Sequence, residues 1–291
     1  MLEVKNITKT FNSSSKSITA LSDVTLFFER SKIYGIIGPN GAGKTTLIKS
    51  ICGLIYPDKG NVFIDDSPLY PSNFKLLKNI GAILEGSRNI FWNFTPVQNV
   101  KYFALLKGIN VNTALSKAMK YFEVFNILDK INSPVRNLSQ GMKQKIAIII
   151  STLHNPSILL LDEPTLGLDP ISSQSMQSLI KEMSYNEKKL VILTSHHLDI
   201  IEKNCDYLIF LKDGKILFFD TVEKIKSNFS KLTYKFYLKE NGGISVLEKK
   251  LTKDEFRDFL QSLYSNNYEI YDIEKNEQSL EEIFLEQSSY S

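Results

Sequence analysis

The stretch Gly38-Pro39-Asn40-Gly41-Ala42-Gly43-Lys44-Thr45-Thr46 decides how the rest of this chain is read. A short apolar run, Lys32 to Ile37, precedes it, and the spacing after it predicts a helix from Lys44 to about Gly53, stopped by Gly53 and Pro57. A glycine-rich turn between a strand and a helix is the setting of a phosphate-binding loop. Glycines let successive backbone N–H groups turn inward around phosphate oxygens. The helix that follows offers its positive end to the same anion. Lys44 is then placed to reach the β- and γ-phosphates, and the Thr45 hydroxyl to bind Mg²⁺.

Working outward, residues 2–7, 23–29, 61–64 and 80–84 read as strands, with a polar loop from Asn12 to Ser17. Helical spacing follows around Val100–Lys107, over Ala114–Phe125 and over Ser139–Leu153, stopped at Asn155-Pro156. Strand and helix then alternate: Ile158–Leu161, Ser172–Met183, Leu190–Thr194, Leu198–Lys203 and Tyr207–Leu211. Such alternation predicts an α/β fold with a parallel sheet, and the helical block of about 86–156 is an insertion into it. Beyond Asp213-Gly214 the pattern changes. A strand at Leu232–Leu238 is broken at Gly242-Gly243; a helix over Thr252–Leu263 and a strand over Tyr268–Ile273 follow. A capping box, Ser279-Leu280-Glu281-Glu282, opens a last helix with Ile283, Phe284 and Leu285. The expected division is residues 1–218, then a small α+β extension over 219–291.

Two further motifs carry chemistry. Ile158-Leu159-Leu160-Leu161-Asp162-Glu163-Pro164 reads as a buried strand that delivers two acids at its C-terminal end. Asp162 would hold the magnesium shell, and Glu163 would act as general base on the attacking water. In Leu138-Ser139-Gln140-Gly141-Met142, Ser139 and Gly141 open a helix, so a hydroxyl and backbone amides form an anion site there.

Composition bounds the partners. The chain has 291 residues, 35 Lys plus Arg against 32 Asp plus Glu, and a net charge of +3. So slight a basic excess, with arginine only at positions 30, 88, 136 and 257, argues against a nucleic-acid partner. Cys52 and Cys205 have no metal-ligand spacing and read as buried thiols. No run approaches the ~20 apolar residues of a membrane span, and the opening Met-Leu-Glu-Val-Lys-Asn is not that of a secretory signal. The expectation is a soluble protein, or a peripheral subunit of a membrane assembly.

With these motifs in this order, residues 1 to about 218 resemble the ATP-binding subunits of ABC transporters. The resemblance implies a P-loop NTPase: a RecA-like core, an antiparallel β subdomain and the inserted helical subdomain. It implies ATP and Mg²⁺ as cofactors. Leu138–Met142 looks like the family signature, in which Ser139, Gln140 and Gly141 would bind the γ-phosphate of ATP held on the other subunit's loop. The partners implied are a second ATP-binding subunit, identical or related, and a separately encoded membrane permease. Further positions acquire roles by resemblance. Phe11 matches the aromatic that stacks on adenine, Leu168-Asp169 the loop that crosses the dimer interface, and His196 the switch histidine at the γ-phosphate. The helical subdomain would meet the permease, with Ile90-Phe91-Trp92-Asn93-Phe94 as an anchor or as ordinary subdomain core.

Two departures stand out. Glu85 occupies the position where the family usually has a glutamine, and is read as a metal ligand with altered tuning. The signature has Gln140 where glycine is common and Met142 where glutamine is common. The tail's ending resembles that of multidrug and antibiotic exporters, which implies export from the cytoplasmic face of a membrane. A non-transport ABC ATPase, or a nucleotide sensor with weak hydrolysis, is the alternative.

Overall fold

The computed structural model describes residues 1–12, 17–71, 73–84, 90–229, 232–240, 243–266, 268–277 and 280. Glu85 and the capping-box residues Ser279, Glu281 and Glu282, with the helix expected after them, lie outside the described residues. The chain divides into two compact units, Met1–Asp220 and Thr221–Ser291.

The first unit begins with an antiparallel pair, β1 (Leu2–Asn12) and β2 (Ser17–Phe28), followed by β3 (Ile33–Ile37), α1 (Lys44–Ile51), β4 (Lys59–Ile64), β5 (Ser67–Pro68) and β6 (Ile80–Ile83). Three helices come next: α2 (Pro96–Leu106), α3 (Val111–Val124) and α4 (Gln140–Ser151). The alternating part is β7 (Ile158–Leu161), α5 (Pro170–Lys181), β8 (Leu190–Thr194), α6 (Leu198–Asn204) and β9 (Tyr207–Lys212), closed by β10 (Lys215–Thr221). Two sheets result, β2-β1-β4-β5 and β10-β9-β3-β8-β7-β6. In the larger sheet β3 pairs in parallel with β8 and β9, and β7 with β6 and β8. Every residue of β3, β7 and β8 is buried, as strands covered on both faces must be.

The inner positions of the antiparallel sheet, such as Leu2, Val4, Leu26 and Val62, share one core with Leu47, Ile48 and Ile51 of α1 and with Leu160, Ile192 and Ile209 of the parallel sheet. The helix that follows the phosphate loop is therefore gripped on its apolar face by both sheets.

The inserted helices have sequence-encoded ends. Thr95 and Gln98 form a capping box for α2, with Pro96 in its first turn, and Gly108 turns the chain after it at φ +65°. Asn110 caps α3 and Ser139 caps α4. The far end of α4 lies against β6: a Cβ at Gly81 would stand 2.6 Å from the Ser151 carbonyl oxygen. That contact ties the helical block to the sheet edge beside the acidic strand. The helix expected over Ser172–Met183 starts two residues earlier and gives way after Lys181 to a π turn over Glu182–Asn186.

In the second unit, α7 (Val222–Phe229) precedes β11 (Leu232–Glu240), β12 (Gly243–Leu251), α8 (Lys253–Ser265) and β13 (Glu269–Glu277). The three strands form an antiparallel sheet in the order β12-β11-β13. Tyr234, Phe236 and Leu238 point to one face and meet Phe256, Phe259 and Leu263 of α8. The Tyr234 and Phe256 rings stack with centroids 4.0 Å apart. Thr252 and Glu255 close a capping box at the start of α8.

Four of these elements are absent from the sequence reading: the two-residue β5, and β10, α7 and β12. β12 begins at Gly243 and pairs with β11 from Leu232↔Leu251 to Glu240↔Gly243. Apolar residues sit on both faces of β12 (Ile244 and Val246, then Leu247 and Leu251), which blurs the period-2 signal.

Phe236 is fully buried in a small core. Phe236→Ala should remove about 3–5 kcal/mol from that unit. Limited proteolysis should then cleave within residues 221–277 while residues 1–220 persist. A variant as protease-resistant as the parent would show that this ring does not hold the unit together.

Candidate functional site

The loop between β3 and α1 is shaped by close backbone approach. A Cβ at Gly38 would lie 2.0 Å from the Leu211 carbonyl oxygen of β9, and one at Gly43 2.3 Å from the Ala20 carbonyl oxygen of β2. Gly43 sits at φ +105° as the residue before α1, a conformation that L side chains rarely adopt. The two neighbouring sheets thus leave no room for a side chain where the loop turns. The result is a cavity of about 290 Å³ walled by residues 40–46 on one side and by Asp162, Glu163 and His196 on the other, with Ala20 at its edge.

Lys44 is buried, and its ammonium folds back onto the loop, donating to the carbonyls of Gly38 (2.6 Å) and Pro39 (3.0 Å). Burial draws its pKa down, while Glu163 and Asp162 oppose that shift. Thr45 presents its hydroxyl 3.5 Å from Asp162 Oδ2, and Thr46 follows it in the first turn of α1.

The acids arrive as the sequence predicts, at the C-terminal end of β7. The Asp162 N–H donates to the Ile83 carbonyl at 2.9 Å, which extends the pairing with β6. Asp162 and Glu163 are both buried. Asp162 Oδ1 accepts a 2.7 Å hydrogen bond from the Thr194 hydroxyl. Glu163 adopts φ +52°, and its N–H donates to the same Thr194 oxygen at 2.9 Å. Its two carboxylate oxygens are buried without a hydrogen bond, and His196 Nε2 stands 3.1 Å from Oε1. Burial pushes the Glu163 carboxyl above the usual carboxylate range, and the neighbouring His196 works against that. A buried carboxylate with free lone pairs and raised basicity can accept a proton from water.

The hard oxygens of Thr45 and Asp162 at the mouth of the loop fit Mg²⁺, which is typically held by one or two protein oxygens plus phosphates. Among the described residues no group of three or more His, Cys, Asp or Glu stands close enough to hold a metal ion by itself.

Two predicted groups lie apart from this cavity's walls. Ser139 caps α4 by accepting from the Met142 N–H at 3.2 Å, with Gln140 and Gly141 opening the helix. A Cβ at Gly141 would stand 2.6 Å from Ser172 Oγ, so this turn packs on the start of α5. There Asp169 caps the helix by accepting from the Ser172 N–H at 2.9 Å. Phe11 is exposed near the end of β1, opposite Ile18, with Lys9 Nζ 5.6 Å from its ring. His197 donates its N–H to Ser195 Oγ at 3.0 Å, and His154 packs at the end of α4 against Ile80 and Lys107. The sequence reading missed Thr194. Its only signal there is a hydroxyl residue ending an apolar strand beside the acidic one.

Comparison with known proteins agrees with this architecture. A family model described as ABC transporter matches residues 21–166. The ABC transporter ATP-binding protein NatA of Bacillus subtilis is 30% identical over 247 residues, which span 84% of this chain and 100% of the relative. The methionine import ATP-binding protein MetN 3 of Pectobacterium atrosepticum is 33% identical over 78% of this chain and 67% of its own length. Among solved structures, a dimeric ATP-binding cassette in a post-hydrolysis state bound to ADP and Pi superposes with a TM-score of 0.68 at 26% identity, over 76% of this chain and 99% of that one. A loop built for phosphate, two buried acids beside it and this likeness over most of the chain lead to one conclusion: the chain belongs to the ABC transporter family, as an ATP-binding subunit that hydrolyses ATP.

Proposed function

We propose that the chain works as a head-to-tail dimer whose ATP hydrolysis powers a separately encoded permease. The observation that carries this reading is the split of the site. The cavity has the loop, the acids and His196 on its walls, while the Ser139-Gln140-Gly141 turn is not among them. A second copy, or a related subunit, would bring its own turn to the open side. The structural relative described as dimeric supports that arrangement.

In this reading Lys44 and the N–H groups of residues 40–46 hold the phosphates, and Phe11 stacks on adenine. Thr45 and Asp162 hold Mg²⁺ with Glu85. Mg²⁺, when bound, would neutralise charge on the phosphates. Glu163 takes the proton of the attacking water, and His196 contacts the γ-phosphate while steadying the Glu163 carboxylate. Ser139, Gln140 and Gly141 donate to the γ-phosphate of the partner's nucleotide.

The helical block offers the permease a surface. Trp92 is 44% exposed, with Lys143 Nζ 4.8 Å from its ring. The same block carries a groove of about 470 Å³ walled by aromatics that include Phe91, Tyr102 and Phe103. No described helix is long and apolar enough to cross a membrane, which fits a peripheral subunit on the cytoplasmic face. The direction proposed is export, on the resemblance of the tail; the relatives named for methionine import favour the opposite direction. Recovery of an extracytoplasmic solute-binding protein with the complex would contradict export.

Two measurements test the assembly. With a slowly hydrolysed ATP analogue and Mg²⁺, the solution mass of the full chain should double, and Lys44→Ala should bind no nucleotide and keep the single-chain mass. A wild-type chain that binds the analogue yet stays single would contradict the dimer. Trp92→Ala should reduce permease co-purification at least several-fold while nucleotide affinity stays within about twofold, on the scale of an aromatic anchor worth ~1–2 kcal/mol. Undiminished co-purification would remove Trp92 from the docking surface.

A further inference from the structure

We propose that Thr194 is a positioning residue of the hydrolytic site, and that its single hydroxyl sets the Asp162 carboxylate and the Glu163 backbone relative to one another. The proposal rests on the reading of Asp162 as metal ligand and Glu163 as base.

β7 and β8 run in parallel with Leu161 opposite Leu193, so the next residue of each strand, Asp162 and Thr194, also lie side by side. Thr194 is fully buried, and its hydroxyl is used on both sides. It donates to Asp162 Oδ1 at 2.7 Å and accepts from the Glu163 N–H at 2.9 Å. The first bond fixes the carboxylate's rotation and leaves Oδ2 turned toward the Thr45 hydroxyl, 3.5 Å away. The second anchors a glutamate whose φ of +52° lies in the left-handed region, a conformation that residues with a Cβ rarely adopt.

Two residues on, His196 approaches Glu163 Oε1 at 3.1 Å. The end of β8 therefore holds the acidic pair at two points, by a hydroxyl on the main chain and by an imidazole on the side chain. The neighbouring Ser195 is engaged elsewhere, its hydroxyl accepting from the His197 N–H at 3.0 Å.

Valine at 194 keeps the shape and strand preference of threonine and removes only the hydroxyl. Serine keeps the hydroxyl and removes the methyl. This pair separates positioning from packing. The readouts, in the full chain, are single-turnover ATP cleavage, ATP affinity, and the Mg²⁺ concentration that half-saturates Mg²⁺-dependent nucleotide binding.

A misplacement on the order of 1 Å costs ~100-fold in rate. T194V should therefore cleave at least about tenfold more slowly, with ATP affinity within about threefold and a raised Mg²⁺ midpoint. T194S should recover most of the rate. If T194V is unstable to heating, T194S against T194A makes the same comparison, with serine active and alanine slow.

T194V at the wild-type rate beside an inactive E163Q overturns the proposal and leaves the base reading standing. So does T194S as slow as T194V, which would mean packing. Wild type no faster than E163Q would overturn the base reading itself, and the proposal with it.

Discussion

Two carboxylates, Asp162 and Glu163, are buried side by side at the end of a strand that is apolar throughout, and the site is arranged around that constraint. Buried charge is costly unless it is paired or hydrogen-bonded. Two neighbouring elements supply part of the compensation: β8 gives the Thr194 hydroxyl, and the Lys44 ammonium adds positive charge from α1. β6 fixes the main chain by accepting the Asp162 N–H. The Glu163 carboxylate oxygens accept no hydrogen bond, although His196 Nε2 stands 3.1 Å from one of them. They are the atoms that a hydrolytic base has to keep available.

The phosphate loop depends on two other strands, β9 and β2. Gly38 passes against the Leu211 carbonyl and Gly43 against that of Ala20, so the loop is pressed between the parallel sheet and the antiparallel one. The apolar face of α1 is locked into a core common to both sheets. The loop's shape therefore owes as much to distant strands as to its own glycines. The cavity between loop and acids is preorganised, which is what phosphate chemistry with little covalent participation by the protein requires.

Most of this was legible where a residue's role is local. The Gly38–Lys44 turn, the four apolar residues before Asp162, and the Ser139, Thr252 and Asn155-Pro156 helix boundaries each carry their own signal, and the elements lie where those signals put them. What escaped is nonlocal. Thr194 bonds an aspartate 32 positions earlier in the chain, and a hydroxyl at the end of an apolar strand is a weak mark for it. β12 escaped because it is half exposed and carries apolar residues on both faces. Phe11 is read for adenine from its place ahead of the loop, and its ring is exposed outside the walls of the phosphate cavity.

The central claim is that a chain with this geometry hydrolyses ATP through Glu163. The most direct measurement is single-turnover cleavage of ATP bound to the wild-type chain and to Glu163→Gln, with affinity measured on the same samples. The amide keeps the side chain's size and lone-pair direction but cannot take up a proton. The account predicts cleavage slowed by about 10²–10⁴-fold at nearly unchanged affinity. Equal rates in the two chains would contradict it.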